Sequence, residues 1–213
     1  MIRFITFEGG DGTGKTTQLK SLESYLTALG KSCLLTREPG GTALGKLIRR
    51  VLLEVGEQTI ASPTELFLYL ADRAQHMREV VRPAIDQGKI VLCDRHTDST
   101  LAYQGYGRGI DLGLLRDLND LASGGMKPDL TFLLDCSVEL GLSRTAQRRF
   151  QTTIGAGPED RFESERIEFH ERVRRGFLEL ARVEPDRFWV VDASRSVTEI
   201  SEEIKRIVDQ KLM

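Results

Sequence analysis

The run Gly9-Gly10-Asp11-Gly12-Thr13-Gly14-Lys15-Thr16 constrains this chain more than any other stretch, because it fits the pattern G-x-x-x-x-G-K-[ST] between two segments of different periodicity. Before it, Arg3-Phe4-Ile5-Thr6-Phe7 reads as a short strand. After it, Thr17 to Leu29 carries Leu19, Leu22, Leu26 and Leu29 at helical spacing. A strand, a glycine-rich turn and a helix in that order build a concave nest of backbone N–H groups, and the positive end of the helix adds to its pull on anions. The expected occupant is the phosphate chain of a nucleoside triphosphate, held by Gly9, Gly10, Asp11, Gly12, Thr13, Gly14, Lys15, Thr16 and Thr17. Lys15 should reach the β- and γ-phosphates, and the Thr16 hydroxyl should hold Mg²⁺.

The rest of the chain repeats the alternation. Strands are expected at Arg3 to Phe7, Ser32 to Thr36, Ile90 to Cys93, Leu130 to Leu134 and Phe188 to Val191, with helical patterns between them. One such pattern carries Leu44, Leu47, Ile48, Val51 and Leu52, the next Leu66, Leu70, Ala74 and Met77, and Pro83 marks a kink or a helix end before Gly88. Alternation of this kind implies an α/β fold, a mostly parallel five-stranded sheet flanked by helices, with ligands beyond the carboxyl ends of the strands. The motifs cluster at those ends: 9–17, 37–42, 94–104, 135–136 and 192–194.

A chain of 213 residues suits one domain over 1–213 rather than two. A formal net charge of -2 gives no field for wrapping nucleic acid or for attraction to a membrane. Cys33, Cys93 and Cys136 lie scattered in or beside apolar runs, and His76, His96 and His170 are dispersed, so buried free thiols and non-ligating imidazoles are expected. The odd cysteine count and an N-terminus without a secretion signal imply a cytoplasmic protein. No apolar run approaches the ~20 residues that cross a bilayer.

The other strand ends are rich in arginine. Arg37 and Arg95 each have an alternative as a structural ion pair, but two at adjacent strand ends beside a phosphate cradle favour a site for a monophosphate, which a guanidinium grips in two places. Asp94 closes an apolar strand, where a carboxylate either positions Mg²⁺ or caps the next turn. Residues 148–161 hold two glycines, a proline and arginines at both ends without a helical stripe. They read as a loop between helices, either an ordinary solvent loop or a lid insert that closes over phosphates.

In order along the chain stand Phe-Glu-Gly-Gly-Asp-Gly-Thr-Gly-Lys-Thr-Thr at 7–17, Thr-Arg-Glu-Pro-Gly-Gly-Thr at 36–42 and Asp-Arg-His-Thr-Asp-Ser-Thr-Leu-Ala-Tyr-Gln at 94–104. Lys-Pro-Asp-Leu-Thr at 127–131 and Asp-Arg-Phe-Glu at 160–163 follow. This set resembles the thymidylate kinases. The resemblance implies a P-loop nucleoside monophosphate kinase fold, transfer of the γ-phosphoryl group of ATP to dTMP with Mg²⁺, and a homodimer for which the helix from Pro63 to Met77 offers a surface. It also implies residue roles. Tyr69, where the family more often has phenylalanine, would stack on thymine and Arg73 would bond the base. Arg37 and Arg95 would hold the dTMP phosphate, Thr100 and Gln104 would face the base edge, Tyr103 would lie against the sugar, and Asp11 would engage its 3′-hydroxyl.

The cradle has no arginine at residues 10–13, and the bacterial subgroup resembled here supplies the catalytic arginine from the lid. Arg148 is the first choice, Arg149 and Arg161 are the other candidates, and Arg144 is read as bordering adenine. Ala193, in the turn after the last strand, either approaches adenine through its backbone or belongs to a plain turn in which Ser194 or Ser196 caps the next helix. Two rival functions remain beside this reading: a kinase for UMP, CMP or AMP, and a nucleotide-dependent switch, which would not need the second arginine-lined site.

Overall fold

The computed structural model describes residues 2–53, 60–151, 161–162 and 165–212, the side chains of 148–151 and 212 excepted. Five strands are found among them: β1 (Phe4–Glu8), β2 (Cys33–Arg37), β3 (Ile90–Asp94), β4 (Leu130–Asp135) and β5 (Phe188–Asp192). They form one parallel sheet in the order β2-β3-β1-β4-β5. From β1 the chain crosses toward β2 at one edge and from β4 toward β5 at the other, so a crevice opens where the direction reverses, beyond the carboxyl end of β1.

Each strand runs one residue further than its apolar stretch, ending on Glu8, Arg37, Asp94, Asp135 or Asp192. Hydropathy marks which residues are buried, whereas a strand continues as far as its ladder pairs. Here the ladder pairs Arg37 with Asp94 and Asp135 with Asp192. The sheet thus presents a row of five charged side-chain positions at its ligand-facing edge.

Helices α1 (Lys15–Ala28), α2 (Ala43–Leu53) and α3 (Ser62–His76) follow in chain order. A π-helical turn, Met77–Val81, joins α3 to α4 (Arg82–Asp86). Pro83 therefore neither ends nor sharply breaks the helical path, because the wider turn makes room for its ring against the carbonyl of residue 79. After β3 come α5 (Thr97–Thr100) and a second π-helical turn, Leu101–Gly107, then α6 (Leu112–Ser123), α7 (Val138–Gln151), α8 (Ile167–Val183) and α9 (Val197–Leu212).

Alternate residues of β1 face opposite layers. Ile5 and Phe7 pack with Leu19, Leu22 and Leu26 of α1 and with Ile200, Ile204 and Ile207 of α9. Phe4 faces the other way, onto Met77 and Val81. Leu29 falls outside the buried stripe, 51% exposed at the end of α1. On the second layer α8 lies against the π turn 101–107, and a Cβ on Gly176 would come within 2.6 Å of the Tyr106 ring. That close approach seats Tyr103 and Gln104 under the crevice.

Candidate active site

The cradle between β1 and α1 is shaped by backbone conformations that side chains disfavour. Gly9 has φ 132° and Gly12 φ 75°, and a Cβ on either would strike a carbonyl oxygen, of Leu134 at 2.3 Å or Gly141 at 2.0 Å. The loop is therefore pressed between the end of β4 and the first turns of α7. Within it Lys15 is 7% exposed and its Nζ donates to the carbonyls of Gly9 (3.0 Å) and Gly10 (2.7 Å). Burial, with Arg95 adding repulsion, pushes the Lys15 ammonium down to about 8. Thr16 Oγ1 donates to Asp94 Oδ2 at 2.9 Å, across the mouth of the cradle.

Arg95 is the hinge between this cradle and a second pocket. It has φ 70° and is the one non-glycine residue with positive φ among those described. Its guanidinium donates to the Gly9 carbonyl (3.0 Å), Ser99 Oγ (3.2 Å), Asp11 Oδ1 (2.6 Å) and Tyr103 Oη (3.2 Å), and it lies 5.0 Å from the Tyr103 ring centroid. Burial alone would raise the Asp11 carboxyl, but Arg95, Lys15 and His170 together hold it below its ordinary value. Asp11 and Arg95 line both cavities: an open one of about 220 Å³ that also holds Lys15, Thr16, Arg37 and Asp94, and a narrower one walled by Tyr69, Tyr103 and Phe162. Arg37 stands exposed on the open side, its guanidinium without a hydrogen-bond partner among the described residues.

The narrower pocket gathers Tyr69, Arg73, Thr100, Tyr103 and Gln104 as expected, and adds residues that sequence reasoning missed. Phe162 meets Tyr103 edge-on with ring centroids 5.4 Å apart and lies 6.4 Å from Tyr69, completing an apolar three-sided slot. Arg73, 1% exposed, donates from Nε to Glu38 (2.8 Å), from Nη1 to Thr100 Oγ1 (2.8 Å) and Asn119 Oδ1 (2.6 Å), and from Nη2 to the His96 carbonyl (3.0 Å). Four of its five N–H groups are engaged, which leaves a single Nη2 proton for a ligand.

Two buried carboxylates organise this pocket. Glu38 accepts from Arg73 and from Nδ1 of both His76 (2.9 Å) and His96 (3.0 Å). Burial raises its carboxyl, but His96, Arg73 and His76 outweigh that and keep it well below the ordinary value. Because an ionised carboxylate only accepts, both imidazoles must carry their proton on Nδ1. Glu65, fully buried, accepts from Gln104 Nε2 (2.8 Å), Arg108 and Arg161. The Gln104 amide thus turns its NH₂ to Glu65 and keeps its Oε1 as the acceptor left for a ligand. Glu38 carried a signal, a carboxylate within 36–42 beside an apolar strand. Asn119 and Glu65 carried none, since each sits on an amphipathic helix where a polar residue reads as surface.

Arg144 Nη1 donates to the Ala193 carbonyl at 2.7 Å, which joins the two residues expected at adenine. Ser196 and Glu199 form a reciprocal cap at the start of α9, while Ser194 bonds Asp192 instead. Arg161 bonds Glu65 at 2.5 Å and the Leu52 carbonyl at 3.1 Å, beside the aromatic slot and away from the cradle. Arg148 and Arg149 lie in the last turn of α7, so the helix takes in residues 148–151 of the stretch expected as a loop over 148–161; their side chains and residues 152–160 lie outside the described residues.

The family model described as "Thymidylate kinase" matches residues 7–204. A thymidylate kinase of Desulfovibrio desulfuricans is 56% identical over 192 residues, covering 90% of this chain and 88% of the relative. One from Nitratidesulfovibrio vulgaris is 50% identical over 207 residues, covering 96% and 95%. Among solved structures, a crystal structure of thymidylate kinase from Ehrlichia chaffeensis superposes with a TM-score of 0.76 at 37% identity, covering 97% of this chain and 98% of that one.

Proposed function

We infer the division of labour in this site from one premise: the chain belongs to the thymidylate kinase family and is an ATP-dependent dTMP kinase, moving the γ-phosphoryl group of ATP to dTMP to give dTDP and ADP. The observation that carries the assignment of roles is the meeting of two cavities at Asp11 and Arg95, one lined by the cradle and one by an aromatic slot. ATP occupies the cradle with its adenine toward Arg144 and Ala193. dTMP lies with its base between Tyr69 and Phe162, its sugar against Tyr103 and Asp11, and its phosphate toward Arg37 and Arg95.

Base reading follows from donor accounting. Arg73 offers one N–H and Gln104 one carbonyl oxygen, which suits a base with an acceptor at one edge and a ring N–H beside it. The Tyr103 ring, 7% exposed and bonded to Arg95, crowds the sugar and disfavours an added 2′-hydroxyl.

An anionic oxygen of dTMP attacks the γ-phosphorus, the bond to the bridging oxygen of ADP breaks, and no proton has to be removed. Catalysis is therefore positioning and charge neutralisation by Lys15, Arg95 and a lid arginine, with Arg148 ahead of Arg149 and Arg161. Mg²⁺ fits at Thr16 and Asp94, whose hydroxyl and carboxylate are hard oxygen donors. Among the described residues no group of three or more His, Cys, Asp or Glu could hold an ion. A site of one carboxylate and one hydroxyl suits a cation that keeps its waters and takes its remaining oxygens from phosphate. When bound it would neutralise charge on the β- and γ-phosphates.

Turnover of dTMP, dUMP, UMP and CMP measured side by side tests the substrate assignment. ADP should be released fastest with dTMP and should be absent without a monophosphate. Steady ATP hydrolysis without an acceptor would favour a switch, and a preference for UMP or CMP would move the assignment to another kinase.

The chain works as one domain of residues 1–213 with the lid at 148–161, in the cytoplasm and as a homodimer. No helix among the described residues is long and apolar enough to cross a membrane, and the three cysteines are free. Support for the dimer is the exposure of large apolar side chains on α2, α3 and α6, where Leu47, Phe67 and Leu121 are 50%, 61% and 79% exposed. Paired Leu47→Asp and Phe67→Asp changes should convert a dimer to a monomer in analytical ultracentrifugation. A monomeric parent protein at micromolar concentration would remove this assignment.

A further inference from the structure

We propose that Glu8 is a positioning residue for phosphoryl transfer: its buried carboxylate locks the backbone that follows Arg95 and, through Ser99, aims the Arg95 guanidinium. The inference rests on the reading that Arg95 grips the phosphoryl group in flight.

Glu8 ends the central strand β1 and is fully buried. Its Oε1 accepts the His96 N–H at 2.7 Å and its Oε2 accepts the Ser99 hydroxyl at 2.6 Å. Ser99 Oγ in turn accepts Arg95 Nη1 at 3.2 Å, so a chain of hydrogen bonds runs from guanidinium to hydroxyl to carboxylate. On the other side of the same residue, the Arg95 N–H donates to the Phe7 carbonyl at 3.0 Å. The strained residue at φ 70° is thus fastened before and after by consecutive residues of β1. A side chain with a Cβ keeps that conformation only where its surroundings over-determine it.

The arrangement puts an acidic side chain where desolvation opposes its charge. Burial, with repulsion from Asp98, raises the Glu8 carboxyl, against the pull of Ser99, Arg95 and the His96 N–H. Asp98 itself is neutralised by Arg187 at 2.7 Å. A packed apolar residue at the end of β1 would avoid the penalty and lose the staple.

Steady-state kinetics of Glu8→Gln, Ser99→Ala and the double variant test the proposal, with melting temperature as the measure of folding. Glu8→Gln keeps the volume and one acceptor but turns an NH₂ toward Ser99, and should lower kcat about 10²-fold while KM for ATP moves less than ~3-fold. Ser99→Ala should lower kcat about 10-fold, and the double variant should be no slower than Glu8→Gln, since both cut the same chain. Should Glu8→Gln fail to fold, Ser99→Ala decides alone. A kcat within ~2-fold of the parent in both single variants, or multiplied losses in the double, overturns the proposal. Arg95→Lys separates the two levels. If it turns over at the parental rate, the reading of Arg95 is lost. If it is slow while Glu8→Gln and Ser99→Ala are fast, only the role of Glu8 is lost.

Discussion

Lys15→Ala is expected to lower kcat by at least ~10³-fold, about 4 kcal/mol of transition-state stabilisation, without lowering the melting temperature. The two halves of this expectation share one cause. The Lys15 ammonium rests on the Gly9 and Gly10 carbonyls in a site where burial pushes it down to about 8. A base whose folded pKa is depressed binds its proton more weakly in the fold than in the unfolded chain, so its contribution to stability rises as pH climbs from about 8 toward the unfolded value. Replacing it removes a buried charge and relieves that cost at neutral pH. The phosphates of ATP supply the missing counter-charge and restore the ammonium, so ATP binding at pH 8 should take up about half a proton. Calorimetry in buffers of different ionisation enthalpy reads that uptake, and it should vanish in Lys15→Ala. Near-parental dTMP-dependent ADP release by this variant would sink the mechanism.

Arg148→Ala is expected to lower kcat by ~10³-fold or more with dTMP affinity changed only a few-fold, the pattern of a group that acts in the transition state. The cradle carries no arginine at 10–13, yet the charge spread over the transferring oxygens needs a cation beyond Lys15 and Arg95. Arg144 is engaged at the Ala193 carbonyl, and Arg161 with Glu65. On α7, position 148 is one turn beyond both Arg144 and Thr145, the latter lining the cradle cavity. Arg149→Ala and Arg161→Ala should be milder by at least ~10-fold. Equal losses in kcat and in affinity for Arg148→Ala would assign it to binding, and a greater loss for Arg149→Ala would move the role one residue along.

Much of this site is legible without coordinates. Glycines that must take positive φ, a lysine and a threonine after them, and arginines at the ends of apolar strands are each constrained by local chemistry, so their pattern survives in the order of residues. The strand ends were one residue short because apolar character stops before pairing does, as the Arg37 and Asp94 pair shows. Helical spacing marks the stripes of α2 and α3 but not which way each residue faces. Yet Leu44, Leu47 and Val51 are exposed, while Asp72, Arg73 and His76 are buried among polar partners. Hydropathy cannot tell an exposed apolar residue from one in the core, nor a buried charge with a partner from a solvated one.

Backbone conformation and local spacing thus carry the fold class and the phosphate cradle in the order of residues, whereas the residues of the aromatic pocket were named by the resemblance to the thymidylate kinases. Only the tertiary structure decided how they are aimed. Glu38 and Asn119 each take one of the Arg73 N–H groups, Glu65 turns the Gln104 amide, and Glu8 fastens the strained backbone at Arg95. Those partners lie 35, 46, 39 and 88 positions away along the chain. A hydrogen bond between buried groups depends on where the fold brings two atoms within about 3 Å, and no local pattern encodes that meeting.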